Sequence, residues 1–486
     1  MADIETIIDS VDRSTTTSAP PASARTHGPQ MDLTTGPITR TLIMFGLPTL
    51  GGNVLQSLNG SMNAVWVGHL IGENALAAAT NVNNVMFLTL AALFGFGMAT
   101  TILIGQNMGR GNVDEVRRIV GTSTGMFLLL SIILALVGWF GAPTLLHWLS
   151  TPPEALPLAR GYFKIIFLAM PAVFMLTLAM MALRGAGDSR TPLKWMAISV
   201  ALDSGLNPFL IAGIGPFPKM GIEGAALATV IANYVSLIGL LFDVYREDLV
   251  IRLRGPELHY LRPDPEIVKV IISKGIPMAM QMFVVSGSAI IMISLINREG
   301  VLITAAYSVT MQLWTYIQMP AMAIGAAVST MVAQNIGANK WDRVAQVTRS
   351  GIMISLITTT SIVALLAVID KPALGLFIDM HSPAMPIAQH IQLLGTWAFI
   401  MFGVTFVLLG TMRANGAVWI AVGILFVSLY PMRIGVATGL HPWLGADAIW
   451  LSFPISSAVS MLLSYALYSS GLWKRARMAP ASIIGK

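Results

Sequence analysis

Eleven stretches of this chain run for 19 residues or more without a single Asp, Glu, Lys or Arg. They cover residues 41–72, 74–109, 119–153, 165–183, 224–242, 275–297, 300–339, 350–369, 380–412, 414–432 and 448–473. A twelfth, 195–218, is interrupted only by Asp203. Crossing the hydrocarbon of a bilayer takes about 20 apolar residues in a helix. Within lipid only helices satisfy their backbone polar groups inside one such segment. The pattern therefore predicts an all-α membrane protein with twelve transmembrane helices. Composition leaves no alternative: hydrophobic residues make up 55% of the chain and charged residues 11%, too few polar groups to coat a soluble core.

The absence of cysteine excludes disulfides, thiolate metal sites and a cysteine nucleophile. The seven histidines show no HExxH or paired spacing, so no metal and no other cofactor is expected. Residues 1–38 are polar and rich in Ser, Thr and Pro, and read as a disordered cytoplasmic tail rather than a signal peptide. If that tail is cytoplasmic, 23 of the 29 Lys and Arg fall on the cytoplasmic side. Among them are Arg117 and Arg118, Arg252 and Arg254, and Lys340 and Arg343, while Arg160, Lys164, Lys219, Arg298, Lys371 and Arg433 fall on the outer side. The net charge of +6 is then an orientation signal. It implies both termini in the cytoplasm of a cell membrane, the lipid bilayer as surroundings, and no nucleic acid partner.

The chain also repeats itself. Gly46-Leu47-Pro48 is matched by Gly275-Ile276-Pro277, Gln106-Asn107-Met108-Gly109 by Gln334-Asn335-Ile336-Gly337, and Arg184-Gly185-Ala186-Gly187 by Arg413-Ala414-Asn415-Gly416. The three offsets are 228 or 229 residues. Both halves start on the same side, so this is a parallel repeat about an axis along the membrane normal, as expected of alternating-access transporters. The boundaries expected are a tail over 1–38, a six-helix lobe over 39–245, a cytoplasmic linker over 246–268, a second six-helix lobe over 269–473 and a tail over 474–486. At helix ends such motifs also have a purely structural reading, in which amides and glycines cap orphan carbonyls and turn the chain.

Asp203 lies nine residues beyond Lys194, about 14 Å along a helix and close to mid-bilayer. Carrying a carboxylate there costs about 2.5–3.5 kcal/mol on insertion scales, so a function is its default reading. The alternative is an acid that hydrogen-bonds two helices together. Asn207 is four residues on and shares its face, and Pro208 cannot donate to the carbonyl of Ser204. An acid, an amide and a freed carbonyl are suited to a proton or a small cation. The first helix carries Gln56, Asn59 and Asn63, a polar stripe that requires a partner helix or a wet cavity. Trp66 extends it by a turn, either to stack on a flat ligand or to anchor at the interface.

Read together, Gly46-Leu47-Pro48, Trp66-Val67-Gly68-His69-Leu70-Ile71-Gly72, Gln106-Asn107-Met108-Gly109, Arg184-Gly185-Ala186-Gly187-Asp188, Asn207-Pro208 and Gly221-Ile222-Glu223-Gly224-Ala225-Ala226-Leu227-Ala228-Thr229 resemble the multidrug and toxic compound extrusion (MATE) family, from about residue 38 to 473. The resemblance implies two six-helix lobes around a V-shaped cavity and export of amphipathic, often cationic organic compounds in exchange for protons or sodium, by a monomer that is not an enzyme. It assigns ion coupling to Asp203, Asn207 and Asn63, and substrate binding to Gln56, Asn59, Asn63 and Trp66. Departures stand beside it. Asn63 occupies a place where many members have an acid, Asp203 and Asn207 reverse the Asn and Asp order of one branch, and Val285 lies near an acidic position of the seventh helix. Asp203 is left as the one coupling carboxylate. Two other functions compete with this one: a flippase of lipid-linked sugars or a metabolite exporter of the same superfamily, and an intramembrane hydrolase built on Gly121-Thr122-Ser123-Thr124-Gly125. The second would need a strand, a sharp turn and a triad that this segment lacks.

Overall fold

A computed structural model of the chain describes residues 30–71, 73–148 and 156–479. The readings for residues 1–29 and 480–486, within the two tails, and for 72 and 149–153, at the ends of the first and third spans, lie outside the described residues. Among those described there is no strand. The first six spans are α1 (Ile38–Leu70), α2 (Glu73–Arg110), α3 (Val113–Trp148), α4 (Leu156–Leu168 continuing as Met170–Gly185), α5 (Arg190–Ala212) and α6 (Ile222–Arg246). The second six are α7 (Pro265–Arg298), α8 (Val301–Gly337), α9 (Trp341–Val368), α10 (Ala384–Gly395 continuing as Ala398–Ala414), α11 (Val418–Gly439) and α12 (Asp447–Ser469). Among the described residues nine helices, or eleven when each bent pair counts as one span, are long and apolar enough to cross a membrane. The twelfth is α1, whose 33 residues reach about 50 Å but whose Asn and Gln stripe dilutes its apolar character.

Local sequence sets several of these boundaries and bends. Pro265 opens α7 at its first turn, and the Asp264 side chain caps it by accepting from the Glu266 backbone N–H. The 45° bend of α4 falls at Ala169, next to Pro171, which cannot donate to the preceding turn. The 44° bend of α10 falls where the Trp314 indole crosses Gly395 and donates to Gln392 Oε1 at 3.0 Å and Thr396 Oγ1 at 3.1 Å. In α11 the segment Ser428–Ile434 widens into a π-helical turn around Pro431. That turn corrects one reading of the sequence. Arg433, counted above on the outer side and beyond the charge-free stretch, lies inside α11, as Arg160 and Lys164 lie inside the first part of α4, so Asp203 is not the only charge within a span. The uncharged stretch ended at residue 432, but the helix runs on to Gly439.

Packing divides the molecule into halves across the membrane. At one end, residues of both lobes share a single core that runs from Leu42, Ile102 and Leu183 to Val328, Leu409 and Ala421. At the other end the cores are separate. Phe127, Phe163 and Phe174 belong to one lobe, and Tyr307, Trp314 and Trp450 to the other. Two lobes joined at one end and parted at the other form a V, with α1 and α2 facing α7 and α8 where they meet.

Candidate functional site

Asp188 begins α5 by accepting from the backbone N–H groups of Arg190 at 2.9 Å and Thr191 at 3.1 Å. Asp203 is then 13 residues into the helix, about 20 Å from that end. It is 2% exposed. Thr229 of α6 donates to its Oδ1 at 3.0 Å, and Asn207 Nδ2 donates to its backbone carbonyl at 2.8 Å and its Oδ1 at 3.4 Å. The Asn59 side chain of α1 also approaches the carboxyl, and buried Tyr162 of α4 lies nearby. Four helices of the first lobe therefore converge on one carboxyl group.

The surrounding acceptors are incompletely used. Asn59 Oδ1 and Asn207 Oδ1, on the two amides beside the carboxyl, are buried and have no hydrogen-bond partner among the described residues, and the same holds for Asn63 Oδ1 and Ser204 Oγ elsewhere on α1 and α5. Buried polar atoms are normally paired. A carboxyl group beside two free amide oxygens is chemically suited to hold a proton or a small hard cation. Thr229, quoted above only inside the Gly221–Thr229 motif, was missed as a site residue. Its signal was available in the one hydroxyl that α6 places at this depth, opposite the only acid of α5.

The polar stripe of α1 divides by environment. Asn59 reaches Asp203, Asn63 is half-buried, and Gln56 is exposed and makes no side-chain hydrogen bond among the described residues. Trp66 packs on the parted core of the first lobe, and its Nε1 has no partner among the described residues. Val285 is exposed on α7. The Gly121–Gly125 motif lies within the continuous helix α3, where Gly121 packs on Tyr260 and Ser123 pairs with Thr100, so it forms no nucleophile elbow.

The repeated motifs meet at the joined end. Gln106 Nε2 donates to the carbonyl of Ala414 at 2.7 Å and Gln334 Nε2 to that of Gly185 at 3.0 Å. Those carbonyls end α10 and α4, so each amide caps a helix of the opposite lobe. Contact is close enough to require glycine: a Cβ on Gly109 would stand 1.8 Å from the Gln334 carbonyl oxygen, and one on Gly337 1.9 Å from that of Gln106. The segment before α1 crosses the same seam. Met31 N–H donates to Gly187, Asn335 donates to the Leu33 carbonyl, and Lys340 and Arg343 donate to carbonyls of Thr34 and Thr35. Below it Asp32 accepts from Thr34 and Thr35. Burial works against its charge, but these bonds outweigh burial and hold the carboxyl below its usual range.

Comparison with known proteins places this arrangement. The family model described as MatE matches residues 48–209 and 277–438, two segments separated by the repeat interval found above. The probable multidrug resistance protein YoeA of Bacillus subtilis is 33% identical over 440 residues, covering 90% of this chain and 95% of that protein. The probable multidrug resistance protein NorM of Thermotoga maritima is 24% identical over 90% of this chain and 94% of its own. In fold, the chain is similar to the outward-facing conformation of a multidrug resistance MATE family transporter, with a TM-score of 0.81 at 18% identity over 92% of this chain and 99% of that one.

Proposed function

The chain belongs to the MatE family, and from that premise we propose that it exports amphipathic, often cationic organic compounds as an antiporter driven by inward flow of protons or sodium. It is a multi-pass membrane transporter and not an enzyme. In the proposed reading the joined end faces the cytoplasm, both termini lie there, and the monomer is the working unit. The coupling ion occupies the Asp203 site, with Asn207, Asn63, Asn59 and Thr229 around it, and Gln56, Asn59, Asn63 and Trp66 contribute to the substrate surface.

One observation carries the coupling assignment: a buried carboxyl group deep in α5 that is approached from α1 and α6 and flanked by the unused amide oxygens of Asn59 and Asn207. A helix-bridging acid would satisfy those oxygens, whereas a site that alternately holds and releases a cation must keep some of them available. The test is dye export from vesicles in which proton and sodium gradients are clamped separately, comparing the native chain with Asp203→Asn. The variant retains shape and loses charge. It is expected to insert and fold, and to equilibrate substrate without concentrating it. Uphill export by Asp203→Asn under either gradient would refute the assignment.

A further inference from the structure

The second lobe carries a charge of its own within a span, half-buried and opposite in sign to Asp203. Gly187 and Gly416 are equivalent glycines of the repeat, both with positive φ. Asp203 stands 16 residues past the first and Arg433 17 past the second, a difference of the one residue that a π-helical turn adds. The surroundings also correspond. Asp203 takes a hydroxyl partner from α6, and Arg433 Nε donates to Ser456 Oγ of α12, the equivalent helix, at 2.9 Å. The guanidinium of Arg433 lies 4.7 Å over the ring of Phe453, and Tyr307, stacked on Trp450 at 5.8 Å, lies within reach of its charge.

What Arg433 lacks is an anion. Among the described residues no Asp or Glu pairs with it, and the acids of this lobe's outer end are engaged elsewhere. Glu299 is held by His441 and Asp447 by His390, each at 2.8 Å, and Asp370 accepts from Gln389 at 2.9 Å. A guanidinium presents five donors in a rigid fork that matches a carboxylate through two parallel hydrogen bonds. Only Nε is used here, so the paired terminal nitrogens stay available above the buried cluster of Phe453, Tyr307 and Trp450. An ionised residue within a span is a functional site by default, with its partner to be named. Cation–π contact with Phe453 and one serine leave most of that donor capacity unspent.

We propose that Arg433 is an anion-recognition site of the second lobe, which receives the carboxylate of amphipathic substrates through its free terminal nitrogens. The transported compounds then include carboxylates, with Arg433 serving the anionic end. The inference rests on the exporter reading for its substrate, but the binding it predicts is measurable without transport.

The experiment uses a rhodamine dye that bears a free carboxylate and its methyl ester, identical in ring system and differing in that one charge. Binding to the purified full-length protein is measured by fluorescence anisotropy, and export in vesicles. Arg433→Gln is expected to weaken binding of the carboxylate dye about tenfold, the worth of one charge-assisted pair, and to leave the ester within about twofold. Arg433→Lys, which keeps the charge but loses the fork, is expected to recover part of the difference. Equal weakening of both dyes would make Arg433 a packing residue and overturn the proposal, as would unchanged binding of the carboxylate dye. If the native chain binds the carboxylate dye in an Arg433-dependent way but exports neither dye, the exporter reading fails and the site stands.

Discussion

Gln106 of α2 reaches across the molecule to the last carbonyl of α10, that of Ala414, at 2.7 Å, and its repeat partner Gln334 mirrors the bond on Gly185. Both glutamine side chains are buried. The exchange is reciprocal, so closing the joined end satisfies two amides and two helix-terminal carbonyls at once. Opening that end exposes all four groups to water or leaves them unpaired. The family motifs of the two lobes are thus the two faces of one contact, which explains why the sequence repeats them at the same interval.

Breaking the contact should shift the conformational equilibrium. In Gln334→Leu the carbonyl of Gly185 loses its donor, which costs about 1–3 kcal/mol when the seam is closed, a shift of about tenfold or more toward the opened state. Gly109→Ala should act more strongly, because no space exists for its Cβ. The native chain has no cysteine, so Ala333→Cys at a fully buried seam position is a clean reporter. Its labelling by a water-soluble maleimide should speed up in both backgrounds. Unchanged labelling would show that the seam is held by its apolar core alone.

Much of this was legible in the sequence. Uninterrupted apolar runs gave the spans, because lipid leaves helices no alternative, and the repeat gave the two lobes. Asp203 and Asn59 came from helical spacing and do meet. What the sequence hid depends on contacts between segments hundreds of residues apart. No periodicity says that Gln106 caps the opposite lobe, and a charge-free count places Arg433 outside a helix that a proline-centred wide turn carries further. Thr229 was hidden for a milder reason: a threonine in an apolar helix is common, and only the position of Asp203 across from it gives the hydroxyl a role.

The linker between the lobes has a pH-sensitive attachment. Burial opposes the charge of Asp264, but the hydrogen bond from Arg118 and the N–H of Glu266 hold its carboxyl below the usual 3.8. A carboxyl whose value is lower folded than unfolded stabilises the fold above the unfolded value, and that contribution fades as pH falls through the folded one. Thermal unfolding in detergent should therefore show an Asp264-dependent loss of stability only below about pH 4. Asp264→Ala should cost about 1 kcal/mol at neutral pH through the lost cap of α7, and Asp264→Asn less, since asparagine caps nearly as well.

Orientation is checked by labels at positions of unambiguous side. With the joined end in the cytoplasm, cysteines replacing Asp114, Glu257 or Asp342 should react only after the membrane is permeabilised, and cysteines replacing Pro216 or Asp379 should react in intact cells. The first three lie at the end where the basic loops gather, as expected for cytoplasmic loops. Reversal of the whole set would turn the V to face the cytoplasm and make the seam an external one.

The stripe of α1 should separate into two functions, because its residues face different surroundings. Asn59 shares the carboxyl of Asp203 with Thr229, so Asn59→Leu removes a donor from the coupling site and leaves the acid with one fewer partner in a buried place. Gln56 is exposed and contributes no bond to that site among the described residues, so Gln56→Leu leaves the acid alone and changes only the surface a substrate would touch. Leucine is accepted by the bilayer more readily than either amide, so insertion should be unaffected. Thr229→Val is expected to displace the pH or sodium dependence of export with affinity for the dye little changed. Asn59→Leu is expected to displace that dependence and to weaken dye binding as well, since Asn59 also contributes to the substrate surface. Gln56→Leu is expected to weaken dye binding by severalfold with the ion dependence intact. Identical profiles for the two variants would mean that the stripe acts as one packing surface and that Asn59 has no separate part in coupling.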